Sequence, residues 1–362
     1  MKQAFTYLFL ALILGSCSNN TQPDYTIHTF YYNWYGNPEH DSTYLHWAHQ
    51  VLPHWSDTTW NHVPGFPGGE NIGANYYPAL GCYSCSDTTL VRTHMQMIRQ
   101  AGIGTLAITW WGKGSFEDST IPLYLQEAEH EHLKIVLHIE PFYNSAEEFR
   151  SQLQYIVTAY ANHPAFYRRN GKPFYYVYDS YRLPKEEWAR LLQPTGDLSV
   201  RSTPLDATFI GLWVHENEQA FFLESGFDGF YTYFASDGFV YGSTTSNWPF
   251  MAKWAEENGK LFIPCVGPGY KDTRIRPWNN ANTKPRECGA YFKRMWDSAV
   301  ATSAPIIGIT SFNEWHEGTQ IEPATEKNIS DFTYDDYEGL SPDFYLQSVK
   351  RWIDSRSTSQ DK

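Results

Sequence analysis

The sequence predicts an α/β chain closed into a single (β/α)8 barrel with extended loops after its strands. Three observations carry this expectation. Eight apolar, strand-like runs recur along the 362 residues, helical patterns lie between them, and no G-x-G-x-x-G follows the first run. The runs are apolar through most of their length, as strands buried on both faces are. Alternation of strand and helix builds right-handed βαβ units, and eight such units close a barrel. The missing fingerprint speaks against the alternative, an open doubly wound sheet.

Taken in order, the strands are predicted at 27–33, 104–111, 134–140, 173–179, 207–214, 228–233, 260–266 and 305–312. Asp87 is positioned to cap a first helix, TTLVRTHMQMIRQAG, which puts Leu90, His94, Met97, Ile98 and Ala101 on one face and ends at Gly102. Ser145 starts a second, with Glu148 three positions on completing a capping box. Further helices are expected at 184–192, 216–225, 248–258, 284–303 and 342–355. Residues 34–86, after the first strand, form a loop rich in Trp, Tyr, His, Pro and Gly. A loop of that length is usually functional.

Composition narrows the function. The net charge of −13 supplies no basic footprint for nucleic acid and disfavours a polyanionic substrate. Aromatics make up 17% of residues, more than core packing alone is expected to use, and Trp or Tyr faces suit sugar rings. The beginning, MKQAFTYLFLALILGSCSNN, reads as a secretory signal with an apolar run too short for a permanent span. Its Leu-Gly-Ser-Cys ending resembles a bacterial lipobox. Residues 1–16 are therefore expected to be a signal peptide, with Cys17 lipidated, 17–25 a tether and 26–358 the catalytic domain. The expected location is the bacterial cell envelope, lipid-anchored on the periplasmic or cell-surface side of the outer membrane. Cys82 and Cys85 are read as an export disulfide or as two inert thiols, since no second ligand pair sits at zinc-site spacing. No metal or cofactor is expected, and the chain is expected to act as a monomer.

In such a barrel the strand ends and the loops that follow build the active site. Reading them yields Tyr32, Trp110, Trp111, His138, Glu140, Tyr233, Glu314, Trp315, His316 and Glu317, among others. Glu314 and Glu317 stand three residues apart on the last strand end, with an indole between them. Glycosidic cleavage needs one carboxyl to protonate the leaving oxygen and another to assist across the sugar ring. Environments that push their pKa values apart separate those roles.

These residues carry a resemblance. The stretches FYYNWYG (30–36), YYPALG (76–81), WWGKG (110–114), HIEPFY (138–143), GFDGFYTYF (226–234), PGYKDTRIRPWN (268–279) and NEWHEGTQIEP (313–323) look like glycoside hydrolase family 99, over nearly the whole chain. The resemblance implies a retaining endo-α-1,2-mannosidase or mannanase acting on α-mannan or high-mannose glycans. It further implies Glu314 as base on the substrate's 2-hydroxyl, a 1,2-anhydro sugar intermediate, and Glu317 as general acid/base. Glu140, Tyr233 and Tyr32 would line the cleavage subsite, and Trp110, in the Trp110-Trp111 pair, the adjoining non-reducing one. His138 and Trp315 complete the expected substrate-binding set. Two alternatives remain: a family-99-like polysaccharide-assembly protein, or an inactive surface glycan-binding protein.

Overall fold

The computed structural model describes residues 22–54 and 63–360. Cys17 and the signal lie outside the described residues. Eight parallel strands form the barrel: β1 (Asp24–Tyr31), β2 (Ile103–Trp110), β3 (Lys134–Ile139), β4 (Lys172–Val177), β5 (Thr208–Leu212), β6 (Gly229–Tyr231), β7 (Leu261–Ile263, resumed after Pro264 as Cys265–Val266) and β8 (Ile307–Ile309). Each pairs with its sequential neighbour, and β8 returns to β1 with Ile27 opposite Ile307. Pro264 lacks an N–H for the ladder. The two halves of β7 accordingly pair with different partners, the first with β6 and the second with β8.

The outer layer is α1 (Thr88–Gln100), α2 (Phe116–His130), α3 (Ala146–Ala159), α4 (Lys185–Leu192), α5 (Gln219–Glu224), α6 (Trp248–Glu257), α7 (Ala290–Ala301) and α8 (Phe344–Gln360). Asp87 caps α1 by accepting from the Thr89 N–H at 2.8 Å. Ser145 caps α3 by accepting from the Glu148 N–H, but the return arm of the box lands on Asn144: Glu148 Oε2 accepts from the Asn144 N–H at 2.7 Å. Helix α2 is absent from the sequence reading. Its Pro122 reads as a breaker, since proline frees the carbonyl four residues back. Here that carbonyl, on Asp118, accepts from the Tyr160 hydroxyl at 3.2 Å, and Ser115 caps the helix start.

The barrel interior corrects the expectation drawn from aromatic content. Phe30 packs 5.0 Å from His138 and stacks 5.6 Å from Tyr231, while Tyr176 sits 5.0 Å from Tyr231. His28 accepts or donates through Nδ1 to the Tyr176 hydroxyl at 2.8 Å, and burial lowers its pKa to about 3, so it is neutral. Six tryptophans, at 47, 110, 188, 213, 248 and 315, are among the largest fully buried side chains. Much of the aromatic content is core.

Of the two readings for the C-x-x-C, the thiols are the one realised. Cys82 and Cys85 are both free; Cys82 Sγ donates to the Gly69 carbonyl at 3.0 Å, and burial pushes its pKa up to about 11.

Candidate active site

The loop after β8 arrives at the mouth of the barrel and is fixed there from several sides. Asn313 bonds the Tyr32 backbone in both directions, accepting from its N–H at 2.7 Å and donating to its carbonyl at 2.9 Å. Tyr35 donates to the Asn313 carbonyl at 3.1 Å. The Glu314 N–H donates to Ser311 Oγ at 2.8 Å, and the Lys271 N–H donates to the Glu317 carbonyl at 2.8 Å. Gly318 turns the chain away with φ of 64°; a side chain there would meet the Lys271 carbonyl oxygen at 2.7 Å.

The loop borders a cleft of about 380 Å³. Glu314, Glu317, Glu140, Tyr32, Tyr233, His138 and Trp111 all line it, so the two acids three residues apart meet the third carboxylate from β3. Thr109 donates to Glu140 Oε1 at 2.5 Å, and His138 Nδ1 stands 3.3 Å from the same oxygen. His138 Nε2 bonds the Tyr231 hydroxyl at 2.7 Å, which fixes the ring. The hydroxyls of Tyr32 and Tyr233 hydrogen-bond across the floor, and Tyr233 holds a left-handed φ of 48°. A bulky residue in that region is strained backbone, a feature that clusters at functional sites.

Two expected sugar contacts lie elsewhere. Trp110 is fully buried outside the cleft: its Nε1–H donates to Asp118 at 2.8 Å and its ring stacks on Tyr155. Side chains alternate along a strand, so Thr109 points inward to Glu140 while Trp110 points out toward the helices. Trp111, the next residue, is 41% exposed and takes the cleft wall. Trp315 is also fully buried, donating its Nε1–H to Glu322 at 3.0 Å and to the Tyr83 hydroxyl at 3.1 Å. It anchors the loop from behind instead of facing a sugar.

Other residues in the cleft carried no assignment from sequence. Arg276, in the loop after β7, reaches Asp272 at 3.1 Å and Glu317 at 3.3 Å. It sits within the quoted 268–279 stretch, and that context was the available signal. His46 and His49 come from the long first loop, with His46 stacked 4.5 Å from Trp34 and His49 4.5 Å from His316. Tyr178 and Asp179, which the sequence places at the end of the fourth strand, enter from the end of β4 together with Arg182, which it does not. Among the described residues, no group of three or more His, Cys, Asp or Glu is arranged to hold a metal ion.

Burial dominates the electrostatics. Glu314 is 5% exposed in its side chain, and its Oε2 has no hydrogen-bond partner. Desolvation first, and the Glu317 charge second, push its pKa well above the usual carboxylate range, against the pull of Arg276. Glu317 is also raised by desolvation, but Arg276 in direct contact opposes the rise. Desolvation likewise keeps His316 neutral, helped by the positive charge of Arg276. The site therefore holds two unequal carboxyls, one paired with a cation and one not.

Comparison with known proteins places most of the chain. The family model for glycosyl hydrolase family 99 matches residues 22–358. The chain is 44% identical to the glycoprotein endo-alpha-1,2-mannosidase of Mus musculus over 351 residues, 92% of this chain and 75% of that protein. It is 40% identical to the endo-alpha-1,2-mannosidase-like protein of Homo sapiens over 345 residues, 91% of this chain and 75% of that one. The solved structure of the family 99 endo-alpha-mannosidase from Bacteroides thetaiotaomicron superposes with a TM-score of 0.89 at 45% identity, over 92% of this chain and 98% of the other. With the barrel, the carboxylate-lined cleft and these similarities together, the chain belongs to glycosyl hydrolase family 99 and is a glycoside hydrolase.

Proposed function

We propose that the protein is a retaining endo-acting mannosidase that cleaves internal α-1,2-mannosidic bonds of mannan or high-mannose glycans. The observation that carries this reading is the meeting of Glu314, Glu317 and Glu140 in one cleft beside the exposed face of Trp111. The mannosidase names of the relatives support the substrate class.

In the proposed reaction Glu314 takes the proton from the substrate's 2-hydroxyl as that oxygen attacks C1. Glu317 gives its proton to the departing glycosidic oxygen, leaving a 1,2-anhydro sugar. Glu317, now anionic, deprotonates a water that opens the anhydro ring at C1, and Glu314 returns its proton to O2. Two inversions retain the anomeric configuration. The ordinary retaining route would attach the sugar to a carboxylate instead.

The free cleft favours its proton on Glu314, which is buried and lacks the cation, whereas the reaction needs it on Glu317. A 2-hydroxyl donating to Glu314 favours the ionised form of that carboxyl. Substrate binding thereby shifts the shared proton toward Glu317, where the leaving group requires it. A pair this close titrates as a unit.

The sequence of residues 1–17 supports lipid anchoring at Cys17, with the enzyme facing the outside of a bacterial membrane. The test of the activity is product analysis on α-1,6-linked mannan carrying α-1,2 branches. Disaccharides or larger fragments are expected. Free mannose as the only product would overturn the endo assignment.

A further inference from the structure

We propose that Arg276 is the charge partner that sets the pH window of the carboxyl pair, holding Glu317 as the resting anion and leaving the shared proton to Glu314. The inference rests on the reading of Glu314 and Glu317 as the catalytic pair.

The geometry is asymmetric. Arg276 Nη1 lies 3.3 Å from Glu317 Oε1, and no cationic side chain of Lys or Arg stands within 4 Å of Glu314 among the described residues. The guanidinium is itself held in place. Asp272 is fully buried, and its Oδ2 accepts from Arg276 at 3.1 Å, from the Tyr270 hydroxyl at 2.8 Å and from Asn279 Nδ2 at 2.9 Å. Asp272 Oδ1 remains without a partner. The site thus builds a chain of Asp272, Arg276 and Glu317 running from the interior to the cleft.

Other groups facing Glu317 leave this cation unchallenged. On its own loop stand Glu314, discussed above, and His316, which burial keeps neutral. From the first loop, His46 is lowered to about 4 and His49 is lowered, both by burial, so they carry no charge at neutral pH. The hydroxyls of Tyr32, Tyr178, Tyr233 and Tyr270 are all raised by burial and stay protonated. Glu140 and Asp179 add negative charge from the ends of β3 and β4, and Arg182 adds a positive one at the same rim. Lys271, beside Glu317 in space, spends its ammonium on Asp335 at 2.6 Å.

An adjacent cation favours the anionic states of the pair and lowers both macroscopic pKa values. Activity needs the singly protonated pair, so both limbs of the kcat/KM profile follow. Arg276→Gln should move both limbs upward, by about one unit, since an adjacent Arg shifts a carboxyl by about 1–3 units and Asp272 offsets part of that. Arg276→Lys should keep the limbs close to wild type. Asp272→Asn, which removes the opposing anion, should move them down.

The experiment combines these pH profiles with an infrared titration of the carboxyl bands in substrate-free protein, the bands assigned by Glu314→Gln and Glu317→Gln. Upward movement in Arg276→Gln with rescue in Arg276→Lys supports the proposal. A uniform loss of kcat with unmoved limbs and unmoved carboxyl bands overturns it, because a merely structural arginine does that. Should Arg276→Gln fail to fold, Arg276→Met, which keeps the apolar stem and removes the charge, takes its place, and unmoved limbs and carboxyl bands there overturn the proposal. Retained activity in both Gln variants of the carboxyls would instead overturn the catalytic reading, which the infrared bands do not depend on.

Discussion

His94 is the perturbation that most sharply tests how the loop carrying Glu314 and Glu317 is held. Glu322 is fully buried and accepts three hydrogen bonds: from Tyr83 at 2.8 Å, from Trp315 Nε1 at 3.0 Å and from His94 Nε2 at 3.1 Å. His94 in turn bonds the Tyr31 hydroxyl through Nδ1 at 2.8 Å. Trp315 lies between Glu314 and Glu317 in the chain, so Glu322 reaches their loop through one indole. His94→Phe keeps the ring volume and removes the donor. Loss of a neutral donor to a buried charge costs about 1.5–3 kcal/mol. Urea unfolding followed by tryptophan fluorescence measures the difference at constant slope. Turnover should fall as well, because displacement of catalytic groups by about 1 Å can cost about 100-fold. A loss under about 0.5 kcal/mol with unchanged kcat would refute the view that this network positions the loop.

Three further outcomes are expected. Glu314 has a folded pKa above its unfolded value of about 4.3, so ionising it costs stability as pH rises past that value. Glu314→Gln should therefore raise Tm at neutral pH, by about 2–4 °C per kcal/mol recovered or somewhat less in a chain this long, with the gain vanishing below about pH 4; a gain independent of pH would contradict the desolvation argument. Trp111→Ala should raise KM up to about tenfold through loss of about 0.5–1.5 kcal/mol of ring contact with little change in Tm. Trp110→Ala should instead destabilise by about 3–5 kcal/mol, and the reverse pattern in a melting and kinetic comparison would restore Trp110 to the cleft. Cys17→Ala should move the protein from the membrane to the soluble fraction; an unchanged distribution on fractionation would remove the lipid anchor.

The barrel was legible because its signal is long-range and redundant. Each strand is an apolar run, and losing a few residues at its ends, as at 305–312 against Ile307–Ile309, where two go from the start and three from the end, leaves the count intact. Helix α2 was hidden because a tertiary contact, the Tyr160 hydroxyl on the Asp118 carbonyl, stands in for the bond that Pro122 cannot make. No local pattern encodes that. The carboxylates at 140, 314 and 317 were legible from their place at strand ends. The direction of a side chain was not: Trp110 and Trp111 are adjacent and chemically identical, and only strand alternation resolved in the fold sends one to the helices and the other to the cleft. Arg276 was missed for a related reason. Its partner Glu317 lies 41 residues away, and loop geometry alone brings them together.

The central claim is the division of labour between Glu314 and Glu317, and leaving-group dependence tests it most directly. General acid catalysis contributes about 10²- to 10⁴-fold, according to how much the leaving group needs a proton. The measurement is kcat/KM of Glu314→Gln and Glu317→Gln on a natural mannoside and on an aryl glycoside whose leaving group departs as a stable anion. Glu317→Gln should be crippled on the mannoside and partly rescued on the aryl substrate, while Glu314→Gln stays severe on both. Rescue of Glu314→Gln but not of Glu317→Gln by the better leaving group would contradict the assignment.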